Sequence, residues 1–176
     1  MHRARETGYS LVELAVTVAV VAIVAAVAFP NFQNVIRSNR VSTASNELVA
    51  SLSLARVEAL RSPGGAGLCA SADGTTCGTN WNAGWMVWIN ADNNDTPAGT
   101  PEERVLKFVQ GRGLLTVTAD GGVGTLMFDR RGRIRAGTDV LITISPSDAC
   151  PAGSQLVRDL TMTAAGQVHV TKRNCE

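Results

Sequence analysis

The sequence predicts an α+β protein: one long N-terminal α-helix, its first half transmembrane, packed on a C-terminal antiparallel β-sheet head. Three observations carry that prediction. A basic opening with Arg3 and Arg5 leads into a run from Leu14 to Phe29 that is apolar except for Thr17. Helical patterning then continues to about Arg61, where Ser62-Pro63-Gly64-Gly65 ends it. Beyond that point short strand-like segments separated by glycine-rich breaks replace the helical pattern.

Composition sets the outer bounds. A chain of 176 residues suits one ordinary domain plus one long extra element and is too short for two full domains. Hydrophobic content of 45% with 18% charged residues excludes wholesale disorder. A single long apolar stretch excludes a polytopic membrane protein. The formal net charge of +1 gives no bulk attraction to nucleic acid or anionic lipid, so any such attraction must be local. Two histidines, one tyrosine (Tyr9) and 17 glycines are a poor inventory for a conventional enzyme. No Ser-His-Asp order, paired-carboxylate layout or phosphate-cradling motif stands out, so neither a catalytic residue nor a cofactor is expected.

The first element is the helix. A basic start before an apolar run holds the N-terminus on the cytoplasmic side. An ordinary secretory signal peptide, cleaved after Ala26-Val27-Ala28, is the alternative. Two features weigh against it: Glu13 lies within the apolar segment, where a carboxylate is costly without a dedicated partner, and the helical pattern continues from Asn31 onward. Pro30 removes one helical hydrogen bond and should bend or locally melt the rod near the membrane boundary. Residues 41, 44, 48, 52, 55 and 59 (Val, Ala, Leu, Leu, Ala, Ala) recur at three- and four-residue steps and form one apolar stripe. Arg37, Arg40, Asn46 and Glu47 fall largely off it. From Tyr9 to Arg61 such a rod runs roughly 80 Å at about 1.5 Å per residue, its second half covering a head domain.

The head reads as β-structure. Gly84–Asn90 alternates large apolar groups, and 104–110, 114–119, 125–131, 140–145, 156–163 and 167–172 are further strand candidates. Short strands joined mostly by tight turns imply antiparallel sheets laid over the helix stripe. His169 falls in a strand pattern as an exposed side chain. Asp92, Asn94 and Asp95 resemble half a calcium loop but lack the downstream glycine and glutamate of an EF-hand, and a solvated turn is the alternative.

All four cysteines follow residue 68, and no C-x-x-C pair occurs, which suits an oxidising compartment. Three pairings are open. Cys69–Cys77 closes a hairpin-sized loop around Asp73-Gly74, and Cys150–Cys175 ties the C-terminal strands together; this pairing is the favoured one. A zinc site is poorly served by these spacings, so no metal is expected.

One charge cluster stands out. Between residues 104 and 135 there are seven basic residues and two acidic ones, ending in Asp129-Arg130-Arg131-Gly132-Arg133-Ile134-Arg135. If a strand continues through Gly132, Arg131, Arg133 and Arg135 share one face; if Arg131-Gly132 forms a hairpin turn, Arg130 and Arg133 flank it and the stripe is shortened. Either layout offers candidate phosphate contacts to DNA, with binding that weakens as salt rises, and a solvated edge is the alternative.

Gly8-Tyr9-Ser10-Leu11-Val12-Glu13-Leu14 resembles the prepilin processing site of type IV pilins and type II secretion pseudopilins. The resemblance implies a leader of residues 1–8, cut after Gly8 by a prepilin peptidase that methylates the new Tyr9 amine, at a position where the family usually has phenylalanine. Glu13 and Pro30 then stand at the fifth and twenty-second positions of the processed chain, the family's two hallmark positions. The implied partner of Glu13 is the Tyr9 amine of a neighbouring subunit, which would set axial register in a filament; a neutral, protonated Glu13 is the alternative. Cys69 through Cys77, followed by Trp81-Asn82-Ala83-Gly84-Trp85-Met86-Val87-Trp88 and Asn90-Ala91-Asp92-Asn93-Asn94, resembles the GspH/FimT group of minor pilins and pseudopilins.

The resemblance thus implies a pilin-like fold: a leader, a helix over 9–61 with a transmembrane segment at about 11–30, and a periplasmic β-rich head over 62–176. It also implies single-pass anchoring in the bacterial inner membrane and other pilins or pseudopilins as partners. The expected function is a minor subunit supporting assembly of a secretion pseudopilus or a type IV pilus. A filament-borne DNA receptor for natural transformation is the alternative. FimT-like receptors carry Gly-Arg-x-Arg near the C-terminus, whereas Gly132-Arg133-Ile134-Arg135 lies about forty residues before the end, and Gly166-Gln167-Val168-His169, at the matching position, lacks both arginines. A third possibility is a plain periplasmic domain or enzyme exported by an ordinary signal peptide.

Overall fold

A computed structural model describes residues 9–97 and 103–176, leaving out the side chains of residues 27–31. Two compact units make up the chain, one ending at Ile36 and one running from Arg37 to Glu176.

The helix α1 spans Leu11–Ala59. Ser10 begins it: its hydroxyl accepts the Val12 amide N–H at 3.2 Å and its carbonyl accepts that of Leu14 at 3.1 Å. A serine three residues before Glu13 is the spacing of a capping box, and an acidic group in the first turn suits the positive end of the helix dipole. In the first unit the described apolar side chains from Leu11 to Val24 are exposed. Among the described residues no helix is long and apolar enough to cross a membrane; the apolar run read from the sequence extends to Phe29, beyond the last described side chain before the gap. The helix is continuous through position 30, so of the two expectations at Pro30, a bend or local melting, the melting is not found. It ends at Ala59, two residues short of Arg61, because the Arg61 and Ser62 N–H groups both turn back to the Glu58 carbonyl ahead of Pro63 and Gly65.

In the second unit the stripe is the organising feature. Val41, Ala44, Leu48, Leu52, Ala55 and Ala59 are all at most 2% exposed. They join one continuous core with the inward residues of two four-stranded sheets. The first sheet contains β1 (Ala66–Ala70), β2 (Gly84–Ile89), β3 (Val105–Gln110) and β5 (Thr125–Phe128), in the order β3-β2-β1-β5. The second contains β4 (Leu115–Ala119), β6 (Val140–Pro146), β7 (Val157–Met162) and β8 (Val168–Arg173), in the order β4-β6-β7-β8. Every pairing is antiparallel.

Two strands depart from the expectation. β1 is central to its sheet and buried on both faces, so its short run of small residues shows none of the alternation that marks a half-exposed strand. On its outer face Gly67 leaves room for Trp88, whose ring would lie 2.7 Å from a β-carbon there. β5 stops at Phe128, not Arg131, because the chain turns at Asp129–Gly132.

A short helical turn, Trp81–Ala83, joins the sheets: the Trp81 indole N–H donates to the Val123 carbonyl at 2.8 Å, and the Asn82 side-chain oxygen accepts the Val117 N–H at 2.6 Å. Charged residues off the stripe clamp the helix from its flanks. Arg37 pairs with Asp148 at 3.1 Å and Arg112 with Glu47 at 2.9 Å. Disulfides join Cys69 to Cys77 and Cys150 to Cys175.

Candidate functional site

Two regions carry candidate chemistry, one in each unit. The first is the start of α1. Gly8 lies outside the described residues. Tyr9 is 87% exposed, and Glu13 stands exposed one helical turn away. Among the described residues the Glu13 carboxylate forms no ion pair. The helix start therefore presents an acid and an apolar surface whose partners are not supplied by the described chain. The side chain of Pro30 is outside the described residues.

The second region is the arginine hairpin in the head. The Gly132 N–H donates to the Asp129 carbonyl at 2.8 Å and the Asp129 N–H to the Arg133 carbonyl at 2.9 Å. Gly132 takes φ +70°, which closes a type I turn with a one-residue bulge and is strained for any other residue. The continuous stripe of Arg131, Arg133 and Arg135 is thus overturned, and the shortened layout holds. Arg130 and Arg131 sit exposed at the tip of the turn and form no ion pair among the described residues. Arg133 pairs with Asp129 at 3.2 Å. Arg135 is half-buried, pairs with Asp95 and donates to the Gly64 carbonyl at 2.6 Å.

The Asp129 carboxyl balances opposing effects. Burial pushes it up, but the backbone N–H groups of Arg133 and Arg131 and the Arg133 guanidinium outweigh that and hold it below its ordinary value. Two of the four candidate arginines are therefore committed to carboxylates of the same head.

The remaining candidates are structural in their contacts. Asp92 is used inside its loop, accepting the Asn94 amide N–H at 3.0 Å and its side-chain N–H at 2.5 Å, while Asp95 accepts from Asn90 and pairs with Arg135. His169 is exposed on β8. The Gly166 turn, where FimT-like receptors would place their arginines, lies against the arginine hairpin. The Ile134 N–H donates to the Ala164 carbonyl at 3.0 Å, and Arg56 of α1 reaches the Ala165 carbonyl at 3.2 Å. Sequence reading missed the capping role of Ser10, whose Ser-x-x-Glu spacing was the available signal, and the pairing of Asp95 with Arg135, forty positions later, which leaves no local signal.

The long helix, the exposed acid in its first turn and the sheets over its second half can be set against known proteins. The description "Prokaryotic N-terminal methylation motif" matches residues 3–29. The description "Type II transport protein GspH" matches residues 44–166, more than two thirds of the chain. The chain belongs to the GspH family. Two crystal structures of the type IV minor pilin FimU of Pseudomonas aeruginosa share its fold at 22% identity. One, with a TM-score of 0.55, covers 74% of this chain and 91% of FimU, and the other, at 0.57, covers 76% and 89%. No curated protein sequence matches the chain. This GspH-family chain thus has the pilin architecture, a minor pilin or pseudopilin whose family is one of inner-membrane-anchored subunits with periplasmic heads.

Proposed function

We propose that this chain is a structural, non-enzymatic subunit of a type II secretion pseudopilus or type IV pilus. In this reading it is processed between Gly8 and Tyr9, crosses the inner membrane once through about residues 11–30 and supports filament assembly. The observation that carries the reading is the methylation motif over residues 3–29, joined to an exposed Glu13 and apolar helix surface that the described chain leaves without partners. A carboxylate that stays ionised in such surroundings is costly without a cation beside it, and the methylated Tyr9 amine of an adjacent subunit supplies one.

Mass spectrometry of the mature N-terminus tests this directly. The expected product begins at methylated Tyr9, and a start near residue 29 would make the protein an ordinary secreted domain. The DNA-receptor alternative now draws on Arg130 and Arg131 alone and has less support, since Arg133 and Arg135 are paired.

A further inference from the structure

We propose that the cleft beside the end of α1 is a carboxylate-docking site, which seats an acidic side chain of a neighbouring protein subunit. The inference rests on the filament-subunit reading and names the chemistry of one of its contacts. The cleft has a volume of about 360 Å³ and is lined by Pro63, Gly64, Asn93, Asp129, Arg130, Arg131 and Arg135, with the Asp129 carboxylate already engaged by Arg133.

Its geometry is set in advance of any partner. Arg135 is held on two sides, by Asp95 and by the Gly64 carbonyl, so its guanidinium is fixed in place where it lines the cleft. A β-carbon on Gly64 would lie 3.0 Å from the Asn93 amide nitrogen, so backbone meets backbone there and the wall cannot collapse onto a side chain. Asn93 itself takes φ +66°, held by its N–H donating to the Asn90 side-chain oxygen at 2.9 Å.

Charge is left over. Arg130, Arg131, Arg133 and Arg135 face two carboxylates, Asp129 and Asp95, an excess of two positive charges (4 − 2) lodged on the tip residues Arg130 and Arg131. An entering carboxylate meets planar guanidinium donors, the pairing this hairpin already makes twice. A nucleic-acid backbone needs cations spaced along a track, and the turn at Gly132 breaks that spacing. Among the described residues the cleft's two unpaired guanidiniums, Arg130 and Arg131, stand side by side at one turn, a number and spacing that suit a single carboxylate head group. The observations therefore favour a protein acid over a polyphosphate.

The test uses the full-length chain in whole cells. Arg131→Lys keeps the charge and supplies a primary amine; a water-soluble carbodiimide condenses that amine with a touching carboxyl into an amide, the diimide leaving as its urea. Peptide mass spectrometry is expected to find position 131 joined to an Asp or Glu of another protein chain, a link absent from Arg131→Gln. Two results would overturn the proposal. One is that position 131 joins only its own Asp129, or nothing, while Lys107 and Lys172 of the same chains do form links. The other is that the detergent-solubilised wild type binds a 20-nucleotide single strand whose affinity falls tenfold or more in Arg130→Gln/Arg131→Gln, which assigns the cleft to nucleic acid. The N-terminal peptide of the same sample separates the two readings. A processed, methylated Tyr9 without the link sinks the cleft alone, whereas the link on an unprocessed chain sinks the filament reading and leaves the cleft standing.

Discussion

Ser51 and Trp85 join α1 to β2 through a buried hydrogen bond: the indole N–H donates to the Ser51 hydroxyl oxygen at 3.0 Å, and that hydroxyl donates to the Glu47 carbonyl at 2.8 Å. Ser51 is fully buried and Trp85 is 3% exposed, so neither group can turn to water if its partner is lost. Ser51→Ala leaves a buried donor unsatisfied and is expected to cost about 1–3 kcal/mol. Denaturant unfolding of the full chain in detergent, followed by tryptophan fluorescence, measures it. Ser53→Ala, on the exposed face of the same helix, is the control; equal midpoints for the two variants would show that the seam does not depend on this bond.

The contrast between that seam and the rest of the head shows what the sequence makes legible. The stripe from Val41 to Ala59 was readable because helical periodicity is a local property, and all six positions are buried. Strands β2 to β8 were readable from alternation and glycine breaks, to within a few residues. β1 was not, because a strand buried on both faces with small residues is defined by its neighbours β2 and β5 rather than by its own pattern. The arginine cluster was legible as composition, but its geometry depended on one left-handed glycine and on Asp95, a distant partner. At the helix start the acid in the apolar run was plain, while its place in a Ser10-led cap became visible only with the backbone.

The disulfide loop at 69–77 gives the head an acid-sensitive element. The N–H groups of Thr76 and Thr75 and the Thr76 hydroxyl converge on the Asp73 carboxylate and hold it well below its ordinary value of 3.8. A carboxyl depressed in the folded state stabilises above its unfolded value, and that contribution is lost as pH falls through the folded one. Asp73→Asn removes this titration, so its thermal midpoint should fall less steeply than that of the wild type between about pH 4 and pH 2. Parallel acid limbs for the two proteins would show that the loop does not contribute to acid unfolding.

Cys150–Cys175 ties the C-terminus back across 25 residues. The Cys175 N–H also donates to the Ser154 carbonyl at 2.9 Å, and the pair packs with Leu156 and Val157 in a small cluster of its own. Closing a loop of this length restricts the unfolded chain by roughly 3 kcal/mol. Cys150→Ala/Cys175→Ala is therefore expected to lower stability by about 2–4 kcal/mol while leaving β1 to β5 intact. The readouts are the unfolding midpoint and the fluorescence of the tryptophans, which all lie between residues 81 and 88. A changed tryptophan environment in the folded variant would mean that the C-terminal link organises the whole head and not just its edge.

Glu13 has two physical roles open to it, and one substitution separates them. As the third residue after Ser10, its side chain can support the helix start, a task that glutamine performs as well as glutamate. As the acid that meets a neighbour's Tyr9 amine, it must carry negative charge, which glutamine cannot. Glu13→Gln keeps size, polarity and capping capacity, so a purely local role predicts normal filament incorporation for it and a defect for Glu13→Leu. The filament-subunit reading predicts that both variants are processed at Tyr9 yet are lost from sheared filaments by tenfold or more. Quantitative immunoblots of filament and membrane fractions decide between them, because the amount in the membrane controls for expression. Normal incorporation of Glu13→Gln would reduce the carboxylate to a helix cap and remove the charge pairing from the assembly mechanism.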